Sequence, residues 1–580
     1  MFSFEFLFDW IRVAAPRKVF WLGAPLLLYV GTLGGPFISD DLVLILKAEK
    51  YLHGESDALG LYRFATSDEE WNSLRDRGTI PWWLPPSGRL DFFRPVSEGL
   101  FFLDVLLFGR NPFGYRLMSL LVLAAALCGV HWLFIQATGG DGMRAGAATL
   151  FFGISQTIAP PVTWMCNRQD LLVVIGVSIA AGAYWAARRR PLRRYPILAV
   201  FACAFALLAK EVAVALAGVL LLNELILRRP AARRRERRAA GLIALSITLM
   251  TAAYLGYYLW SRPWAFELSG ADGSQSQLSS QFPLALMIYS AVWTVGFPID
   301  ILLNASRGQV WAVAAAGTTI LGLAFVLARR SLRAEPAILF FSLWAALFIV
   351  PGLRSLTPST RTLCTSTVGW AYILSCIVVP SRRGGERPAP GPLRHWLCAA
   401  NGVVSVVCVA GTVWVMNHTE ASACRRLKEI VAELPGPLAD GDALIVDEAR
   451  SVFEVMCAGD RLEFLTGRRD VCVQFLKVPG DDAEVARLDP ETLVMRSRDQ
   501  ALLAAPLHQL TLGSDWVGQI GDTFALRHMA ARVTRLDAGG RVAELRILHA
   551  PPAGRAVHFH PLALSPDSRT LRSASAGAPR

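Results

Sequence analysis

Apolar runs of about 17–25 residues recur along the first 416 positions of this 580-residue chain, and that is the length a helix needs to cross a bilayer. In lipid a backbone must satisfy its own hydrogen bonds, so each run is expected to be helical. Charged residues make up only 18% of the chain, against about 25% in a water-soluble protein, while 53% are hydrophobic. A soluble enzyme, a fibrous protein and a disordered chain are excluded. The sequence reads as an α-helical polytopic membrane protein.

Eleven spans are expected, at 19–37, 115–136, 144–161, 171–187, 195–209, 212–228, 240–260, 309–328, 336–352, 362–380 and 396–416. The first is followed by no cleavage-site pattern and reads as a retained anchor. The net charge of +12 is not a nucleic-acid footprint, because residues 417–580 hold 20 basic against 22 acidic residues. The surplus lies in alternate loops of the first 416 positions, at Arg12–Lys18, Arg144, Arg188–Arg194, Arg228–Arg238, Arg329–Arg333 and 381–395. That alternation predicts the N-terminus inside and the C-terminus outside, as in a bacterial inner-membrane protein with a periplasmic tail. Segment 283–304, with Pro298 and Asp300, is expected to stay on the outer face, since a further crossing would break the alternation.

Three regions follow: a membrane domain at 1–416, a small extracytoplasmic α/β domain at 417–562 and a disordered tail at 563–580. Within the first, the loop 38–114 faces outward, and its Trp82–Trp83 pair is expected at the lipid headgroups. In the tail a helix is expected at Ala423–Leu434 and strands at Ala443–Val446 and Arg541–Leu548. Cys457 and Cys472 form a disulfide only if that region is oxidised, which the spacing leaves open.

Ionisable groups near membrane depth are expensive, which makes them the first functional candidates. Asp40 and Asp41 follow the first span, and two adjacent carboxylates there suit a general base, a metal ligand or a helix N-cap. Arg94 suits a phosphate or ordinary snorkelling at the interface. Glu98 and Asp104 interrupt an apolar run and face either a polar cavity or a nearby arginine. Arg168 and Asp170 are close enough to pair with each other, and Lys210 stands beside Glu211 between two apolar runs. With Arg361, four cations map to the outer interface, a layout suited to a membrane-anchored phosphate. His558 and His560 are a weak metal pattern without a third ligand.

In this order, Ser39-Asp40-Asp41, Phe93-Arg94-Pro95, Leu107-Phe-Gly-x-Asn-Pro-Phe-Gly-Tyr115, Val162-Thr-Trp-x-x-Asn-Arg168-Gln-Asp170-Leu-Leu and Leu208-Ala-Lys210-Glu211 resemble multi-pass glycosyltransferases of the GT-C fold. The resemblance covers about residues 20–230 and is greatest to the O-mannosyltransferase-like branch, which takes sugar from a polyprenyl-phosphate donor. It implies a hexosyltransferase, with mannose the first candidate, that uses an Asp of the first outer loop as base. By position that is Asp41 in preference to Asp40. It also implies that Arg94, Arg168, Lys210 and Arg361 hold the donor phosphate, supported by Glu98, Asp104, Asp170 and Glu211. The chain departs from the family at Arg116, where relatives have His, at Ser155–Pro161, which lacks a His-Pro, and at Thr360-Arg361-Thr362, where relatives have a Glu-Arg-Tyr-like site.

The chemistry implied is a one-step inversion, in which an acceptor hydroxyl on protein, lipid or polysaccharide displaces the lipid phosphate. A divalent metal at Asp40 and Asp41 is the one cofactor left open. A transporter or lipid flippase, and a non-catalytic scaffold displaying the C-terminal domain, are the competing classes.

Overall fold

The computed structural model describes residues 18–56, 60–226, 234–262, 307–350, 360–379 and 392–478, most of 481–560, and single positions within 287–292. The expectations for 283–304 and 563–580 lie outside the described residues, apart from those single positions. The chain divides into two compact units. One comprises Met1–Pro36, Phe93–Ala265 and Leu278–Asn417, the other Phe37–Phe92, Phe266–Gln277 and His418–Arg580.

The first unit is helical among its described residues, and each of the eleven expected segments overlaps helix in part. Four helices are long and apolar enough to cross a membrane by length and composition: Pro112–Thr138, Met165–Ala187, Arg238–Ser261 and Ala399–Glu433. Several of the others are shorter because local chemistry interrupts them. Expected span 144–161 becomes the Gly142–Gly153 helix, a 3₁₀ turn at Gln156–Ile158 capped by Ser155, and a one-turn helix restarted by Pro160 and Pro161. Likewise 212–228 opens as a 3₁₀ turn at Glu211–Val214 before the Ala215–Ile226 helix.

Helix packing here relies on small residues, as is usual where lipid gives no hydrophobic drive for association. A Cβ on Gly176 would lie 2.5 Å from the Ala202 carbonyl oxygen, so only glycine lets the Gln169–Ala187 and Arg194–Ala209 helices approach this closely. Around them Leu127, Phe134, Val174, Leu216, Phe341 and Tyr372 form one continuous apolar core.

The second unit carries ten strands among its described residues: β1 Arg63–Ala65, β2 Leu90–Asp91, β3 Ala443–Glu448, β4 Cys472–Lys477, β5 Ala483–Asp489, β6 Thr492–Ser497, β7 Thr523–Ala525, β8 Met529–Leu536, β9 Val542–His549 and β10 Val557–Phe559. β10, β3 and β4 form a parallel sheet in that order, and β5-β6-β9-β8-β7 an antiparallel one. The helix expected at Ala423–Leu434 is not separate. It is the end of a continuous 42-residue helix, Pro392–Glu433, since no Gly or Pro breaks the chain after the last apolar run except Gly402 and Gly411 within it.

The first outer loop, expected with the membrane domain, packs in this second unit. Trp82 and Trp83 are 1% and 0% exposed in a core with Leu444, Phe475 and Leu545, so they do not lie at a lipid surface. Trp82 donates from its indole nitrogen to the Phe475 carbonyl at 2.8 Å, and Arg75 donates to the Trp82 carbonyl at 2.9 Å. A buried indole finds a partner for its N–H, and here the tail supplies it. Thr79 adds a hydrogen bond of 2.5 Å to Asp460.

The parallel sheet is pinned by Asp442, which accepts from the Ala439 and Ala556 amides at 2.8 and 3.0 Å and faces His558 at 3.1 Å. Burial works against its ionised form, but the two amides and His558 outweigh it and hold the carboxyl below its ordinary range. A group lowered in this way stabilises the fold above its unfolded pKa of about 3.9 and loses that contribution as pH falls through the lower, folded value. Asp442→Asn is therefore expected to lower stability by about 1–3 kcal/mol at neutral pH. The gap between the variant and wild type should close as pH falls below about 4. Thermal unfolding of the full-length protein across that range checks it, and a gap that persists in acid would contradict it.

Candidate functional site

Each unit gathers a set of the residues singled out by sequence. In the second unit the segment Phe37–Asp41 makes a tight turn into the Asp40–Leu52 helix. Asp41 is fully buried and its carboxylate accepts the Ile38 N–H at 2.9 Å, so it closes the turn from inside. The Ser39 side chain makes no cap bond to the helix. It donates instead to Asp40 Oδ1 at 3.2 Å. Asp40, half-buried, also has Cys457 Sγ at 3.9 Å. A buried carboxylate engaged by its own turn is poorly placed to take a proton from a substrate, whereas Asp40 is only half-buried.

The first unit holds the cations, and the turn Thr163–Asp170 is their hub. Arg168 and Asp170 do not pair with each other, nor Lys210 with Glu211. Side chains two apart at a helix start point in different directions, and Lys210 stands in extended backbone between two helical segments, so each found a partner elsewhere. Arg168 pairs with Asp104, both buried at 2% and 0% side-chain exposure, and also donates to the Tyr115 carbonyl at 3.2 Å. Lys210 bonds Asp170 at 2.7 Å. Arg94 grips Glu211 through two nitrogens, at 2.9–3.2 Å, in a bidentate pair. Glu98 lies in the first turn of the Pro95–Phe108 helix, where the dipole favours a carboxylate.

Arg361 differs from the other three cations. It sits in a 3₁₀ turn, Thr360–Leu363, donates to the Asn167 side-chain oxygen at 3.0 Å and lies over the Trp164 ring at 5.1 Å. Among the described residues no carboxylate pairs with it. Its planar fork is therefore oriented by neutral groups, which leaves its charge uncompensated for an anion. Lys210, held by one carboxylate oxygen, has further N–H donors to give.

No group of three or more His, Cys, Asp and Glu side chains gathers into a metal cage among the described residues. With Asp41 engaged by the Ile38 amide, the acidic turn does not offer the set of oxygen ligands a divalent cation takes. His558 and His560 each face a carboxylate, Asp442 and Glu433, at 3.1 and 2.9 Å.

Sequence reading missed Glu420 and Arg461, a buried ion pair beside the acidic turn with Nε 2.8 Å from Oε1. An acid at the end of the last apolar run was the available signal. Cys457 and Cys472 are both free thiols. Cys457 precedes the Ala458–Thr466 helix and Cys472 opens β4. Burial, reinforced by the Asp40 carboxylate, pushes the Cys457 thiol well above its ordinary range, and burial raises Cys472 to about 12.

The two kinds of cation should separate by stability. Arg168→Met strands a buried carboxylate and is expected to lower stability by about 3–5 kcal/mol. Arg361→Ala strands none and should change it by less than about 1 kcal/mol. Thermal unfolding of the detergent-solubilised protein distinguishes them, and equal losses would contradict the assignment.

No protein-family model and no curated protein matches the chain. Among solved structures it is similar to ArnT from Cupriavidus metallidurans in the apo state, with a TM-score of 0.42 and 16% identity over 80% of this chain and 86% of that one. A second is the archaeal oligosaccharyltransferase AglB from Archaeoglobus fulgidus in complex with an inhibitory peptide and a dolichol-phosphate, at 0.36 and 14% over 77% and 64%. A third is the arabinofuranosyltransferase AftD from Mycobacteria, at 0.36 and 15% over 93% and 41%. All three likenesses are remote, at 14–16% identity.

Proposed function

We propose that this protein is an integral membrane glycosyltransferase that moves a hexose, mannose first among the candidates, from a polyprenyl-phosphate donor to an acceptor hydroxyl. The observation that carries the reading is the state of Arg361. A guanidinium aligned by an amide oxygen and an indole face, with no carboxylate among the described residues, is prepared for an anion that arrives from outside the chain. The order of motifs from Ser39 to Glu211 supports the same reading from sequence.

In this reading Asp40 takes the proton from the acceptor hydroxyl as it attacks the anomeric carbon. The C–O bond to the phosphate breaks with inversion, and the lipid phosphate leaves as an anion, for which Arg361 and Lys210 are the candidate cations of the helical unit. Arg94 and Arg168 act one step removed. Their pairs with Glu211 and Asp104 hold the neighbours of Lys210 and Asn167 in place. The acceptor is a protein, lipid or polysaccharide hydroxyl, and the arginine alternation supports transfer on the outer face of a bacterial inner membrane with the N-terminus inside.

Transfer of label from radiolabelled polyprenyl-phosphate hexoses to membrane extracts tests this. Asp40→Asn is expected to lower the rate by about 100-fold or more, the usual worth of a general base. Arg361→Ala should lower it by roughly 10–100-fold through the lost charge-assisted bonds. Asp41→Asn should act chiefly by reducing the amount of folded protein. Full activity in Asp40→Asn would overturn the base, no transfer by wild type would favour a scaffold, and movement of the donor lipid across the bilayer without glycosyl transfer would favour a flippase.

A further inference from the structure

The acidic turn is held from outside its own helix. Ser39 has φ 46° and ψ −110°, a conformation a residue with a Cβ adopts only when its surroundings over-determine it. Glycine would sit there without strain, but glycine has no hydroxyl to give Asp40. Two contacts impose the conformation. Glu420 accepts the Ser39 N–H through Oε2 at 3.4 Å and the Arg461 Nε–H through Oε1 at 2.8 Å. Cys457 Sγ lies 3.5 Å from Ser39 Oγ and 3.9 Å from Asp40 Oδ1.

Arg461 and Cys457 belong to one helical turn, since the Arg461 N–H bonds the Cys457 carbonyl at 2.8 Å. That turn is itself fastened to the first outer loop, where the Cys457 and Ala458 amides donate to the Thr79 and Gly78 carbonyls at 3.0 and 2.9 Å. A buried ion pair is a weak device for stability, because apolar residues of similar volume often do as well. Its use here is directional. It fixes one backbone amide next to a carboxylate.

We propose that Glu420, Arg461 and Cys457 are positioning residues, which clamp Ser39 so that its hydroxyl and the Cys457 thiol hold the Asp40 carboxylate in its working rotamer. This rests on the reading of Asp40 as the base. Ordered donors around a reacting group avoid reorganisation during the step, so loosening them lowers turnover without weakening substrate binding.

The test uses the full-length protein in membranes with radiolabelled polyprenyl-phosphate hexoses. Ser39→Gly relieves the strain and removes the hydroxyl. It is expected to leave the melting temperature unchanged or higher while kcat falls roughly tenfold and KM stays within about twofold, a split that a merely structural role would not give. Cys457→Ala should lower kcat in the same way and Cys457→Ser, which keeps a donor, should restore it. Wild-type kcat in both Ser39→Gly and Cys457→Ala, with Asp40→Asn inactive, would overturn the clamp and spare the base. An active Asp40→Asn would overturn the base itself. Hydrogen exchange of the peptide containing Ser39 needs no substrate. Faster exchange in Glu420→Gln than in wild type supports the clamp, and unchanged exchange overturns it.

Discussion

The Asp104–Arg168 pair is the interaction on which the helical unit turns. Both side chains are buried, so neither charge has water to fall back on, and each is tolerable only because the other is there. The pair joins the Pro95–Phe108 helix to the turn that begins the Gln169–Ala187 helix. From that turn Asn167 reaches Arg361 and Asp170 reaches Lys210. One ion pair therefore fixes the backbone that aims two cations, and neither of those two is itself fully buried. The division of labour follows from burial. Deep charges are paired and hold geometry, and half-buried ones retain bonding capacity for an anion.

The same logic governs the second unit with a different pair. Glu420 and Arg461 are sequestered from water and act on a backbone amide, that of Ser39. The first outer loop is not a decoration of the membrane part. It supplies Trp82, Trp83 and the Thr79–Asp460 bond to the core of the C-terminal module, so that the acidic turn and that module form one packed body. An account of the acidic motif that omits residues 420–461 omits half of what shapes it.

What was legible in the sequence and what was not divides along a physical line. The helices were legible, because length and apolarity suffice in lipid, and so were the strand at Ala443, a short apolar run with Ile445 and Val446, and the strand at Val542, where Leu545 and Ile547 alternate with Glu544 and Arg546. The candidate cations were legible as types, being rare ionisable groups beside apolar runs. Their partners were not. Arg168 and Asp170, two apart in the chain, looked close enough to pair, whereas side chains so spaced at the start of a helix point apart and each pairs elsewhere. The tryptophan pair misled for a related reason, since an indole suits an interface or a core equally and only its neighbours decide.

The sequence by itself therefore determined the solvent of this protein, the helical character of its described apolar runs, and the short roster of candidate charges beside them. These follow from local quantities: run length, hydropathy and charge. Only the tertiary structure decided which charge is buried with which, that Asp41 closes a turn while Asp40 stays half-buried, and that Arg361 is oriented by an amide and an indole. Those outcomes depend on contacts between residues tens to hundreds of positions apart. No local pattern encodes them, because the energy that selects a partner for a buried charge exists only once the chain has excluded water around it.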